Sequence, residues 1–401
     1  MSTECDRTLE RTREDRVELY KRFHQIPELS LQESETSSLI AERLRALGLD
    51  PTAVGGTGLV AVLKNGDGPV VAFRADIDGL PVAEKSGKDY ASTATTTSAD
   101  GETVGLMHAC GHDVHIVSLL GALEALVESK DDWSGTFVAV LQPAEETAEG
   151  ARAMVEDGLA EAMPKPDVFL AQHVMSTLPV GTVGTRAGEF MAAAASIKVT
   201  VHGSGSHGSM PHAGVDPVVL ASAIVLRLQT IVSREISPAE SAVVTVGAIR
   251  SGSKSNVIPE TATLLINTRA FDDAVEKQIH AAIERIVRAE CDASGSPRPP
   301  EFEYYDRFPL TVNDEDVTDR VQDAFDHRFG DRSIVVGAMS GSEDFTILPD
   351  ALGVPSCYWV IGGFKEGKGV PNHSPFFAPE ISSIDTGAEA IIAASMVWLG
   401  K

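Results

Sequence analysis

Apolar residues recur with helical spacing over residues 14–24 and again over 33–47, where Gly48 closes the run, and these stretches predict two helices. Short apolar runs at 59–63 and 70–74 read as strands, and a longer helical pattern at 114–127 is followed by a strand at 136–142, a helix near 151–157 and an apolar strand at 168–172. Alternation of this kind predicts an α/β domain with a mixed sheet flanked by helices. It also places Asp76, Asp78, Glu145, Glu146 and His173 just past the carboxyl ends of strands, where open α/β sheets form their ligand crevice.

The texture changes near Phe190. A strand at 196–201, a helix at 217–233, strands at 243–249 and 263–268, a helix at 274–289 and a strand at 301–305 give the β-α-β-β-α-β order of a ferredoxin-like α+β domain. After Pro309 the first pattern resumes and runs to a final helix at 384–399, so the second domain is read as an insertion. The expected boundaries are 1–189 and 308–401 for the two parts of the main domain and 190–307 for the insertion. The threonine-rich stretch 91–98 reads as a loop.

At 401 residues the chain exceeds what one hydrophobic core usually serves, which supports two domains. Its 33 basic and 58 acidic residues leave a formal charge of -25, which disfavours nucleic acid and anionic membrane partners. The start, Met1-Ser2-Thr3-Glu4-Cys5-Asp6, lacks the apolar core of a signal peptide, and no uninterrupted apolar run of bilayer-spanning length is evident, so a cytoplasmic protein is expected. The cysteines, Cys5, Cys110, Cys291 and Cys357, are too scattered for a disulfide scaffold, and all but Cys110 read as inert thiols.

Chemistry concentrates in Met107-His108-Ala109-Cys110-Gly111-His112-Asp113-Val114-His115 and, downstream, in Glu145-Glu146. Thiolate, imidazole and carboxylate are the ligand types zinc accepts, and a spare carboxylate beside a ligand is what a metal-activated water needs as proton acceptor. Gly111 permits close backbone approach, and the helix that follows favours the Cys110 thiolate through its dipole. Taken singly, each residue has a plainer explanation: a buried thiol, a satisfied polar group, an acidic helix start. His173 at the tip of an apolar strand and His373 in the proline-bracketed loop Pro371-Asn372-His373-Ser374-Pro375 are equally ambiguous alone. Ligands dispersed from Cys110 to His373 fit a catalytic site built from several strand ends better than a compact structural zinc knuckle.

Ordered landmarks carry a resemblance over nearly the whole chain: His24-Gln25-Ile26-Pro27-Glu28, Arg74-Ala75-Asp76-Ile77-Asp78-Gly79-Leu80-Pro81, Met107 to His115, Gln142-Pro143-Ala144-Glu145-Glu146, His207 with Pro211-His212, Asn256-Val257-Ile258-Pro259, Gly341-Ser342-Glu343-Asp344-Phe345 and Asn372-His373. The sequence resembles the amidohydrolase branch of the zinc-dependent aminoacylase and carboxypeptidase-G-like metallopeptidases, which includes hippurate and auxin-conjugate hydrolases, and several connecting stretches resemble actinobacterial N-acyl-glutamine aminoacylases. The resemblance implies a pair of Zn2+ ions, with Mn2+ or Co2+ as possible substitutes, held by Cys110, His112, Glu146, His173 and His373. Cys110 takes the bridging place, where carboxypeptidase-like relatives carry an aspartate. It further implies Glu145 as general base, Asp78 as the aspartate orienting a metal histidine, His207 as a donor to the carbonyl oxygen, and Asn256 and Arg269 as substrate-holding residues. Asp76 stands where those relatives have a histidine, which leaves the roles of Asp76 and Asp78 open.

The expected substrate is therefore a small N-acyl L-amino acid, cleaved to a carboxylate and a free amino acid, with the inserted domain serving as a lid and, as in dimeric relatives, as the site of possible homodimer formation. Two alternatives stay open: a carboxypeptidase or dipeptidase acting on free peptides, and a non-catalytic protein that binds acyl amino acids. The full complement of five ligand candidates and a base disfavours the second.

Overall fold

The computed structural model describes residues 3–97 and 101–401, which form two compact units. The first comprises residues 1–190, 312–338 and 344–401, and the second 191–311 and 339–343. Met1 and Ser2 lie outside the described residues. A helix that the hydrophobic pattern did not announce, Thr3–Arg11, begins directly after them.

An eight-stranded sheet forms the centre of the first unit. Its order runs Thr52–Ala53, Leu59–Asn65, Gly135–Gln142, Val70–Asp76, Val168–Pro179, Ser356–Phe364, Val183–Thr185 and Ser333–Val335. The middle four strands are parallel to one another, while Leu59–Asn65 and Val183–Thr185 run antiparallel to their inner neighbours. Every residue of Gly135–Gln142 and of Ser356–Phe364 is buried, which explains why these strands are apolar runs and do not alternate. Helices His112–Glu128 and Ser383–Leu399 pack on each other and on the central strands. The first of them is buried at all but three of its seventeen positions, so its polar residues must find partners inside the protein.

In the second unit a four-stranded antiparallel sheet has the order Ala242–Ser251, Thr261–Ala270, Ala193–His202 and Glu301–Phe308. Helices Pro217–Thr230 and Asp273–Ala293 pack against it, and the sequence order of strands and helices is β-α-β-β-α-β. Asp216 and Asp272 cap these helices by accepting from their first backbone N–H groups. Leu220, Ile224 and Leu228 meet Ile279, Ile283 and Ile286 in a separate core.

The helical segment Pro217–Glu235 is long and apolar enough to cross a membrane by length and composition, although Arg227, Gln229 and Thr230 interrupt its apolar run. Its Leu220, Ala221, Ile224, Leu228 and Ile231 are buried in the second unit's core, so packing accounts for that apolar face. Within the presumed 91–98 loop, Thr95–Thr97 is a strand paired with Thr103–Gly105, the β-branched side chains suiting an extended backbone, and Ser98 lies outside the described residues. The strand containing His173 continues to Pro179, because Val360 to Gly362 of the parallel neighbour still pair with His173 to Met175.

Candidate metal centre

Gly111 shapes the start of the site. Its φ of 85° is the left-handed conformation, and a Cβ there would stand 2.4 Å from Val174 Cγ1, so only glycine lets the chain pass Val174 and enter the helix at His112. On the neighbouring loop, Ala144 has a φ of 47° and donates its N–H to Glu33 Oε1 at 2.8 Å. That buried carboxylate also accepts from Leu31 N at 3.0 Å and from the Thr57 hydroxyl at 2.6 Å, and so anchors the loop that carries Glu145 and Glu146. His373 also has a positive φ, 67°, and is tied to the motif through its N–H to Ala109 O at 2.8 Å.

These constraints bring together, within the first unit, residues that are up to 263 positions apart in the chain. Atoms of Cys110, His112 and His173 lie within 4.8 Å of one another, as do those of Cys110, Glu146 and His373 and those of His112, Glu145 and Glu146. Cys110 belongs to the first two groups. His173 Nε2 is 3.4 Å from Cys110 Sγ, and His373 Nε2 is 3.3 Å from Glu146 Oε2. His112 faces Asp78 Oδ1 with Nδ1 at 3.1 Å, while its Nε2 points among Asp76, Glu146 and Glu145 at 3.7, 3.8 and 3.9 Å. Both His112 Nε2 and Glu146 Oε1 are buried without a hydrogen-bond partner. A buried imidazole nitrogen and a buried carboxyl oxygen turned toward the same space, beside a thiol, fit a divalent cation.

With no cation present, burial favours the protonated forms of Glu146 and Cys110, and Asp76 and Asp78 outweigh burial to raise His112 above its ordinary range. Burial, with help from the Asp78 and Asp76 charges, outweighs His112 and lifts the Glu146 carboxyl to about 8. Burial and the Glu146 charge push the Cys110 thiol to about 12 despite the nearby His112 and the Asn372 amide, so burial overrides the helix dipole that was expected to favour the thiolate. Burial together with the neighbouring His115 and His112 holds His173 well below its ordinary range, which leaves its imidazole neutral and able to bind a cation. The remaining cysteines are buried, and burial raises Cys357 to about 12.

His207, Asn256 and Arg269 belong to the second unit. His207 lies on a short strand, Ser206–His207, paired with Val257–Ile258, and its exposed ring bonds Ser209 Oγ at 2.7 Å. Asn256 O accepts from Gly208 N at 2.8 Å, which keeps Asn256 beside His207. Arg269 is engaged within its unit: Nη1 donates to Ser340 O at 3.0 Å and Ser342 Oγ at 2.6 Å, and Nε to Asn267 Oδ1 at 3.3 Å. A bidentate grip on a carboxylate would have to displace some of these bonds.

Several residues around the centre carried no role in the sequence reading. Glu33 is one. Asn372, whose Nδ2 donates to Cys110 Sγ at 3.6 Å and Val174 O at 3.4 Å, is another, and its adjacency to His373 was the available signal. His24 lies between Asp113 Oδ2 at 2.6 Å and Glu84 Oε1 at 3.1 Å, which explains the histidine in His24-Gln25-Ile26-Pro27-Glu28.

The family model for peptidase family M20/M25/M40 matches residues 72–396. Among similar proteins, the N-acetyl-L-cysteine deacetylase of Bacillus subtilis is 38% identical over 332 residues, covering 82% of this chain and 76% of the relative. Thermostable carboxypeptidase 2 of Saccharolobus solfataricus is 36% identical over 388 residues, covering 93% of each. The Bacillus subtilis YXEP protein, described as a dinuclear metal binding peptidase from the M20 family, superposes with a TM-score of 0.77 at 27% identity over 97% of this chain and 98% of its own. The chain belongs to peptidase family M20/M25/M40 and is a metal-dependent amidohydrolase of that family.

Proposed function

We propose that the enzyme is an aminoacylase that hydrolyses the amide of N-acyl L-amino acids to a carboxylate and a free amino acid. The observation that carries this reading is the convergence of Cys110, His112, Glu146, His173 and His373, two of them with orphaned buried atoms, on a space flanked by Glu145. These five residues would hold two divalent cations, with Cys110 shared, and the thiolate and imidazole donors favour zinc while allowing Mn2+ or Co2+. Bound there, such ions supply Lewis acidity toward the scissile carbonyl and acidify an attacking water.

The chain's own residues do the rest. Asp78 fixes the His112 ring through Nδ1 so that Nε2 faces the centre. Glu145 takes the proton from the attacking water and returns it to the departing nitrogen, which leaves as the free amine. His207 is the proposed donor to the carbonyl oxygen as negative charge develops on it, and Asn256 and Arg269 are the proposed contacts for the amino-acid carboxylate. A carboxypeptidase acting on free peptides is the second reading, supported by the relative of that name, and it differs in not requiring a blocked amine.

Replacing Glu145 with Gln and Cys110 with Ser separates the roles. Glu145→Gln is expected to keep its metal and lose roughly 10²- to 10⁴-fold in kcat, and Cys110→Ser to lose metal content. Near-parental turnover by Glu145→Gln would remove it from the base role, and full metal content in Cys110→Ser would reassign the shared ligand.

A further inference from the structure

Beneath the centre lies a hydrogen-bonded chain that contributes none of the proposed ligands except at its far end. Arg74, Asp76 and His115 are completely buried. Arg74 Nη1 donates to Asp76 Oδ2 at 2.7 Å, its Nε to Gln142 Oε1 at 2.8 Å and its Nη2 to Asp344 Oδ1 at 3.2 Å, which fixes the guanidinium on three sides. The other oxygen of Asp76 is 2.5 Å from His115 Nδ1. His115 Nε2 lies 2.8 Å from the backbone N–H of Val174, and the carbonyl of the same Val174 lies 2.7 Å from His173 Nδ1.

Backbone groups have fixed polarity, so the protons in this chain are determined. An N–H can only donate, hence His115 Nε2 carries the lone pair and Nδ1 carries the hydrogen, which faces the Asp76 carboxylate. A carbonyl can only accept, hence His173 Nδ1 carries its hydrogen and Nε2 presents a lone pair toward Cys110 Sγ at 3.4 Å. Asp76, His112 and His115 also lie close enough together for a cation, but both His115 nitrogens are engaged, so ligation by His115 would break the bond to Val174.

We propose that Arg74, Asp76 and His115 are positioning residues that act through the Val174 peptide to hold His173 in the Nδ1–H tautomer and aim its Nε2 at the metal. This explains why an aspartate stands at position 76 where a ligating histidine was expected: it is turned to Arg74 and His115. The inference rests on the proposed assignment of His173 and Cys110 as ligands.

Zinc affinity, measured on the full metal-free chain by competition with a chromophoric chelator, tests it alongside thermal stability. His115→Phe keeps the ring and removes both bonds, and is expected to weaken binding of one zinc by roughly 10- to 100-fold, while His115→Gln, whose amide can accept from Val174 and donate to Asp76, recovers part of the loss. Parental affinity in a folded His115→Phe protein would overturn the inference. Should that variant not fold, long-range 15N–1H spectra of the unsubstituted metal-free protein decide: Nδ1–H forms of His115 and His173 are expected, and an Nε2–H form of His173 would refute it. Cys110→Ser and His173→Ala separate the two levels. If both retain two zinc ions the ligand assignment itself is wrong, whereas if both lose metal and His115→Phe does not, only the positioning role fails.

Discussion

Replacing His24 by Gln should change how stability depends on pH, and the size follows from the geometry. His24 is buried, which opposes its charge, but hydrogen bonds from both ring nitrogens to Asp113 and Glu84 outweigh that cost and raise it from its ordinary 6.5 to about 9. A rise of that extent corresponds to about 3 kcal/mol of folding free energy. Because the folded value is the higher one, this stability is fully present below pH 6.5 and is lost as pH rises through about 9. The same two bonds lower Asp113 and Glu84, so the interaction is counted once. Tyr20 and Tyr90 pack on the ring, but burial keeps Tyr90 near 12 and Tyr20 well above its usual range, so neither titrates in this window. Urea unfolding of the metal-free protein can be followed by tryptophan fluorescence, since Trp133, Trp359 and Trp398 all lie in the first unit with His24. The difference in unfolding free energy between the unsubstituted protein and His24→Gln is expected to shrink by about 3 kcal/mol between pH 6 and pH 10. A difference that stays constant across that range would refute the reasoning.

Two substitutions probe the loops that carry the site. Glu33→Ala strands the donors of Leu31, Thr57 and Ala144, at about 1 to 3 kcal/mol for each buried donor that water fails to reach, and should lower both Tm and kcat because Glu145 follows Ala144; an unchanged kcat in a folded variant would uncouple Glu33 from the base. Gly111→Ala forces a Cβ against Val174 at a positive φ, and a loss of about 1 to 3 kcal/mol together with weaker zinc binding is expected; parental Tm and affinity would show that the turn relaxes freely.

What the sequence made legible was whatever it writes locally. Cys110-Gly111-His112 announced itself through residue types at short spacing, and the wholly buried strands Gly135–Gln142 and Ser356–Phe364 are uniform apolar runs. Thr3–Arg11 was missed because nine polar-rich residues, TECDRTLER, give little apolar signal, although Leu9 is buried. His173 looked like a strand end because a polar residue interrupts apolar ones, and nothing local shows that its ring reaches Val174 O and Cys110 Sγ. Glu33 and Ala144 are 111 residues apart, and the link from His115 to His173 runs through a backbone peptide, which no side-chain pattern records. Asp76 illustrates the same limit: its departure from the expected histidine was visible, but its reason lay in Arg74 and His115.

Release of free amino acid from a panel of N-acyl amino acids, with N-acyl-glutamine and hippurate included and free peptides as the comparison, tests the aminoacylase reading most directly when run before and after chelation and again after zinc is returned. Release that requires the acyl group, vanishes with chelator and recovers with zinc is the expected result. Hydrolysis of free peptides alone, or release undiminished in protein shown to be free of metal, would contradict it.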